Sequence, residues 1–331
     1  MSKLNDLGER EILKQIIPRF VEGAGDDCAI IHTPGGHLVV TTDPVPPPAA
    51  AAIGRDDDPY CMGWLLVTIN VSDLAAAGAV PLGFLAAIEC ESERKTASFE
   101  RLLEGVRASC AAAQIAYVGG NLREATRLSA VGTAFGICDS YRPLTRVGAK
   151  DGDSIISKGG AFWRDAVRLL DGKEIGPKDK SPLFKPTSQI GVVHQLAREQ
   201  LVSAAMDNSD GLLPSLSELA SKNALGVVLD LDALTVPGLT GEESSDAARY
   251  WLGWGDWNVI LAVSRANEDR VLELANAAGA SAHRIGRFTA EHGEVMLQRG
   301  KNVALAPRLE SERFARDSWM LKGTPHEVLK L

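Results

Sequence analysis

Apolar positions Ile12, Leu13, Ile16 and Ile17 recur at helical spacing over residues 9–20, and Pro18 ends the pattern, which predicts a short opening helix. Two β-rich runs, Cys28–Thr33 and Leu38–Thr42, flank Pro34, Gly35 and Gly36; they read as a hairpin whose second strand delivers Asp43 at its end. Met62–Ala77 is rich in Leu and Ala and predicts a helix that Gly78 can cap, with Asn70 and Asp73 at i, i+3 on one face. Phe99, Leu102, Leu103, Val106 and Cys110 trace a second amphipathic helix. After it, a strand-like Ala116–Val118 runs into Gly119, Gly120 and Asn121, and Leu128–Ile137 is a further strand. The turn-rich interval Arg146–Asp153 marks a domain boundary, followed by β-prone Ser154–Ser157. Helices over Ile190–Val202 and Leu212–Ala220 and strands over Val227–Leu231 and Val259–Val263 complete the second half. The expectation is an α+β chain with one domain over 1–147, a second over 148–305 and a surface-docked tail over 306–331. No repeat of roughly 20 to 50 residues is visible, which argues against a solenoid.

At 331 residues and 45% hydrophobic, the chain can bury two cores of ordinary size. A net charge of −8, with no run of Lys and Arg, argues against nucleic acid as a partner. An acidic protein that handles anionic substrates needs a cation. The five cysteines are scattered and never spaced as CxxC, so they suggest reduced core residues rather than zinc or a disulfide framework. The opening MSKLNDLGEREILKQ has no apolar h-region, and no apolar run approaches the ~18 residues needed to span a bilayer. No membrane association and a cytoplasmic location are expected.

Three separated segments carry aspartates where the backbone turns: GAGDDCAII (Gly23–Ile31), TTDPVPPP (Thr41–Pro48) and AMDNSDGLL (Ala205–Leu213). Aspartates gathered by a fold repel unless something positive sits among them, which points to divalent metal and phosphate. Each segment also has a plainer reading. Asp26-Asp27 alone is a solvated acidic turn; Thr41, Thr42 and Asp43 offer hard oxygen ligands, yet a Thr-Asp before Pro44 is an ordinary turn opener. Ser209 or Asp210 before a helix is a routine N-cap, although a cap needs only one of Asp207, Ser209 and Asp210. Asp73 sits in an otherwise apolar helix with no Lys or Arg at helical spacing to pair with it. No Walker A loop, no strand-linked GxGxxG and no GxSxG elbow is present, and the six histidines are dispersed. His194, on the Ile190–Val202 helix, is expected to be a packed or surface histidine rather than a base.

Taken in order, LGEREILKQI, GAGDDCAII, LVVTTD, NVSDLAAAGAVP, VGGN, RVGAKDGD, MDNSDGLL and WGDWNVIL resemble the landmarks of thiamine-monophosphate kinase over residues 7–263. That family lies in a superfamily with aminoimidazole ribonucleotide synthetase (PurM), selenophosphate synthetase and a hydrogenase maturation factor. The resemblance implies a two-domain PurM-like fold: an N-terminal α/β domain that pairs into a dimeric β-barrel, and a C-terminal α/β sandwich. It implies ATP between the domains, held through Mg²⁺ rather than a P-loop. Carried over by position, Asp27, Asp43, Asp73, Asp207 and Asp210 would hold metal, and Gly25, Asp26, Thr42, Gly119, Gly120, Asn121, Arg146 and Ser209 would line the ATP site. Asp43, Asp210 and Arg146 would be the catalytic set, with Arg146 on phosphate.

The departures from the family fall on the substrate side. Pro44-Val45-Pro46-Pro47-Pro48 follows TTD where the kinase has an acidic residue, Gly, Val and His. The family's GGD becomes Gly119-Gly120-Asn121, and its GGEDYE becomes Gly253-Trp254-Gly255-Asp256-Trp257-Asn258. Pro46, Trp254, Asp256 and Trp257 are the expected substrate contacts, the two indoles suggesting a flat or cationic ring or, equally, core packing. The function implied is an ATP- and Mg²⁺-dependent phosphotransferase acting on a small molecule as a homodimer. Two alternatives stand beside it: a relative that phosphorylates a carbonyl oxygen to drive amide, amidine or ring formation, and a nucleotide-binding protein without activity.

Overall fold

The computed structural model describes residues 3–21, 25–52, 58–158, 161–236, 238–291 and 293–307. Gly23, most of the acidic stretch before Asp58, the Gly159-Gly160 pair and all but the first two residues of the expected tail lie outside the described residues.

The opening helix α1 is Glu9–Gln15, shorter than expected, and Pro18 falls in a separate 3-10 turn over Ile17–Arg19. The hairpin forms as β1 (Ala29–Thr33) and β2 (Gly36–Pro44), antiparallel with Thr33 opposite Gly36. Strand β2 runs two residues further than expected, because Asp43 and Pro44 continue the ladder opposite Gly132 and Val131. Asp43 therefore lies in a strand, not in the turn predicted for it; the sequence placed a loop there because Pro44 resembles a strand stop, but at the last ladder position its missing N–H costs nothing.

A single-turn α2 (Ala49–Ala52) leads to α3 (Pro59–Ala76), which Asp58 caps by accepting from the Tyr60 N–H (2.9 Å), and Gly78 follows at the C-terminal end. Then come β3 (Val80–Cys90), α4 (Thr96–Ala112), β4 (Ala116–Glu124) and β5 (Ser129–Cys138). The first sheet has the order β1-β2-β5-β3-β4 and is open, with β1 and β4 at its edges; one chain does not close a barrel. Alternate residues of β5, Ala130 to Cys138, face α3, and α4 packs beside α3.

The chain then changes sheets. β6 (Ser154–Lys158), α5 (Ala161–Leu170), α6 (Ile190–Arg198), β7 (Ala204–Asp207), α7 (Leu212–Asn223) and β8 (Gly226–Asp230) are followed by α8 (Gly241–Gly253), β9 (Val259–Val263), α9 (Glu268–Ala277), β10 (Ala282–Thr289), β11 (Val295–Arg299) and β12 (Asn302–Leu305). Their strands form a seven-stranded sheet of order β12-β11-β8-β10-β6-β9-β7. The α+β, two-sheet architecture is the expected one. Helix α6 ends at Arg198 rather than Val202, and Gln200 beyond it takes a left-handed φ of 55°.

Helix α3 organises the whole. Cys61, Leu65 and Ile69 join the core under the second sheet, Leu66, Val67, Val71 and Leu74 join that of the first, and Ala75 and Ala76 join a third cluster with Val193, Leu196 and Leu261. A helix buried on every side reads as uniformly apolar, which is why its few polar residues stand out. None of the five cysteines is in a disulfide, and all but Cys90 are buried. No helix among the described residues is long and apolar enough to cross a membrane.

Candidate functional site

Where α3 passes between the sheets, three carboxylates from distant parts of the chain converge. Asp27, Asp73 and Asp207 each place an oxygen within 4.8 Å of the others. Asp27 comes from the loop before β1, Asp73 from α3 and Asp207 from the last position of β7. The Asp207 segment thus begins in a buried strand, not in the loop expected, because Asp207 pairs with Val259.

Hydroxyl groups aim two of these acids. Thr41 Oγ1 donates to Asp73 Oδ2 (2.6 Å), Ser72 Oγ donates to Asp207 Oδ2 (2.9 Å), and Ser209 Oγ donates to Asp207 Oδ1 (3.1 Å). The backbone N–H of Asp43 donates to Asn70 Oδ1 (3.1 Å), one turn before Asp73 on α3, so the predicted Asn70–Asp73 face is the one that meets β2. Strand alternation separates the two threonines. Thr42 points away from the cluster, donating to Gly132 O (2.9 Å) on the other face of β2, while Thr41 is the threonine that meets the site.

Positive charge at the cluster comes from Arg146. Its Nε donates to Asp27 Oδ1 (3.0 Å), its Nη2 donates to the same oxygen, and its Nη1 lies 3.9 Å from Glu218 Oε1. Its backbone N–H also donates to both carboxylate oxygens of Asp26 (3.2 and 3.3 Å). The arginine expected to meet phosphate is thereby fixed on the two acids of the GDD turn. The Asp27 side chain is 3% exposed, so that turn is not the solvated one its sequence alone suggests.

The electrostatics follow from this crowding. Burial, then the neighbouring charges of Asp207, Asp43 and Asp27, push the Asp73 carboxyl well above the ordinary carboxylate range. Asp207 is raised likewise by burial and by Asp27, with Arg146 opposing. Asp27 is raised by burial, with the Arg146 guanidinium opposing. Asp26 is pushed up to about 6 by burial and by Asp27. Asp210, half-buried in the turn before α7, lies close enough to Asp207 to raise it further.

Two expected groups make none of these contacts. Gly119, Gly120 and Asn121 belong to the exposed edge strand β4, opposite Leu85, Ala86 and Ala87 of β3. Asp256 and Trp257, expected to face a substrate, are turned into the protein and are 2% and 6% exposed. Asp256 Oδ1 accepts from Asn208 Nδ2 (2.9 Å) and from the Asn258 N–H (3.2 Å), and the Trp257 ring packs edge-on against Phe162. Trp254 packs on Trp163, and Pro46 is half-buried. These residues fasten the 253–258 segment to the Asp207 loop: a Cβ at Gly211, where φ is +102°, would meet Trp254 N at 2.5 Å. His194 is a packing residue, its Nδ1 2.8 Å from Tyr141 Oη.

Residues 25–138 match the model for the AIR synthase related protein N-terminal domain, and residues 166–298 match that for its C-terminal domain. The chain belongs to the AIR synthase related protein family. Among the family's curated members, the thiamine-monophosphate kinase of Methanospirillum hungatei JF-1 is 32% identical over 262 residues, covering 78% of this chain and 86% of the relative. That of Halobacterium salinarum is 28% identical over 95% of this chain and 99% of the relative. Among solved structures, the fold matches AaThiL complexed with AMPPCP and TMP at a TM-score of 0.74 and 22% identity, over 91% of this chain and 97% of that one. Hydrogenase maturation protein HypE shares it at a TM-score of 0.68 and 18% identity, over 95% of this chain and 98% of that one. The AIR synthase related fold thus supplies both domains whose meeting builds the acidic cluster.

The cluster was legible in sequence through its aspartates. Thr41 was read as one of three oxygen donors at the end of β2; Ser72, Glu218 and Asn223 were not picked out as site residues. For Ser72 a signal existed, a buried hydroxyl beside Asp73 in an apolar helix; for Glu218 and Asn223, on an ordinary amphipathic helix, there was none.

Proposed function

We propose that this chain is an ATP-dependent phosphotransferase that transfers the γ-phosphoryl group of ATP to a small-molecule acceptor, with the acidic cluster as its Mg²⁺ site. The observation that carries this reading is the convergence of Asp27, Asp73 and Asp207 from both domains. Three buried carboxylates with one guanidinium are short of positive charge, and their hard oxygen donors suit Mg²⁺. Asp27, Asp73 and Asp207 would hold the metal, Asp43 and Asp210 would flank it, and Thr41, Ser72 and Ser209 would orient the oxygens. Bound there, Mg²⁺ would tie the ATP phosphates to the acids and offset charge on the transferred phosphoryl group. The protein's own part is positioning: Arg146, held by Asp26 and Asp27, would meet a phosphate oxygen, and the acceptor would attack in line.

The curated relatives are named for thiamine monophosphate, which makes it the first acceptor to try. Asn121, the proline run and the buried 253–258 segment are where this chain could differ in acceptor. Turnover with Mg²⁺, ATP and thiamine monophosphate or related phosphates tests the reading, with ADP and a phosphorylated product expected. ATP binding that persists after chelation of all divalent metal would overturn it. The proposed compartment is the cytoplasm, where ATP is available.

The proposed assembly is a homodimer through the first sheet. Its support is apolar surface on the edge strand β4 and the adjoining strand β3, where Tyr117, Val118, Leu122 and Leu85 are 39%, 55%, 59% and 36% exposed. Sedimentation equilibrium should give twice the chain mass.

A further inference from the structure

Helix α7 begins beside the Asp207 loop and ends, with its last residue, against the segment that carries Arg146. That residue is Asn223. Its Nδ2 donates to the carbonyl of Arg146 (2.8 Å) and to that of Leu219 (2.8 Å), while its Oδ1 accepts from the N–H groups of Gly148 (2.7 Å) and Ala149 (3.0 Å). Two carbonyls on one side and two N–H groups on the other fix which amide atom is nitrogen and which is oxygen. Each of these polar atoms therefore meets two partners.

The segment so gripped carries Arg146. Upstream, the Thr145 carbonyl accepts from the Ala205 N–H (2.9 Å) and the Arg146 N–H donates to Asp26. Downstream, Gly148 has φ +135° and lies so close to β7 that a Cβ would meet Ser203 O at 2.2 Å. Asn223 is the side chain that ties the Arg146 carbonyl and the two N–H groups after Val147 to one rigid helix. The same helix places Glu218 near the guanidinium, with Lys222 Nζ 3.9 Å from Glu218.

We infer that Asn223 is a positioning residue for Arg146: it fixes the backbone from which the guanidinium reaches the cluster, and so sets the arginine's aim at a phosphate. This rests on the reading of the cluster as an ATP site. A guanidinium displaced by an ångström loses the directional bonds that make arginine useful on phosphate. Asn223→Asp keeps the shape and the bonds from Gly148 and Ala149 but sets an oxygen against the carbonyls of Arg146 and Leu219.

The test is a double-mutant cycle on the full chain, reading the affinity for AMPPCP in excess Mg²⁺ by calorimetry. Asn223→Ala and Asn223→Asp should each weaken binding on the order of tenfold. Neither should weaken it further in an Arg146→Ala background, because the residue acts only through that arginine. If Asn223→Ala does not fold, Asn223→Asp carries the cycle alone. Losses that add to those of Arg146→Ala, or binding equal to that of the unmodified protein, overturn the inference and leave the reading of the site standing. An unmodified protein that binds no AMPPCP with Mg²⁺ overturns the reading, and the inference with it.

Discussion

Asp73→Asn is expected to stabilise the metal-free protein while abolishing its activity. Asp73 is buried among Asp27, Asp207 and Asp43 and has Thr41 as its hydrogen-bond donor. At the 4.8 Å limit separating the oxygens of Asp27, Asp73 and Asp207, each like-charge pair costs about 3 kcal/mol at the effective dielectric suited to partly buried groups. The raised pKa of Asp73 means that protonation already relieves part of this cost, so the full sum is not recovered on neutralisation. Replacing the charged acceptor of the Thr41 bond by a neutral amide gives back about 1 kcal/mol. The balance is a gain of about 2 kcal/mol, or about 3 °C in the melting midpoint for a chain of this size.

The assay is thermal unfolding at pH 7.5 followed by circular dichroism, with chelator and again with excess Mg²⁺. The unmodified protein should melt higher with Mg²⁺, because a ligand that binds only the folded state stabilises it. Asp73→Asn should melt higher than the unmodified protein in chelator, respond little to Mg²⁺ and show no turnover. A variant that melts lower than the unmodified protein in chelator would refute the argument, since it would mean that the Arg146 charge already balances the cluster.

Two further outcomes are expected. The folded Asp26 carboxyl, at about 6, lies above its ordinary 3.8, so its contribution to stability is fully present below about pH 4 and is lost as pH rises through 6. In chelator the unmodified protein should therefore weaken between pH 4 and 7 in urea titrations, and Asp26→Asn should flatten that slope; an unchanged slope would show that Asp26 titrates normally. Asp43→Asn and Asp210→Asn should each remove turnover, measured as ADP formation, while melting within a few degrees of the unmodified protein; retained turnover in either would remove that residue from the catalytic set.

The regular elements were legible where one period dominated. The hairpin, α3, α4, β5 and β9 follow from alternation or helical spacing within their own residues. Strand β3 was not, because Pro81 and Gly83 interrupt an apolar run whose identity is decided by its pairing with β4 and β5. Helices α5 and α8 were missed although Phe162, Trp163, Ala166 and Val167 in one, and Ala247, Ala248, Trp251 and Leu252 in the other, recur at helical spacing; the two pack together with Trp163 stacked on Tyr250. At the site, the aspartates could be read in order because charge in an apolar setting demands a partner. The choice of Thr41 over Thr42 could not, since it depends on which face of β2 meets α3. For Trp254 and Trp257 the sequence left ring stacking on a substrate and core packing equally open, and for Asp256 it suggested a substrate contact; here the three fasten one loop to another.

The residues 70–73 explain how a site divided between two domains can keep its geometry. Successive helix residues point about 100° apart. Asn70 takes the backbone of Asp43 and Asp73 takes the hydroxyl of Thr41, both on β2, while Ser72 turns to Asp207 on β7. One turn of a buried helix therefore holds acids from both sheets in register. A hinge motion that parted the domains would break the Ser72–Asp207 bond and bare α3 to water on the side where Cys61, Leu65 and Ile69 join the second core. Such a motion would cost far more than a loop closure. The acidic cluster is thus built on a helix packed into all three cores, where hydroxyl donors and Arg146 hold the carboxylates in place although their repulsion is only partly offset.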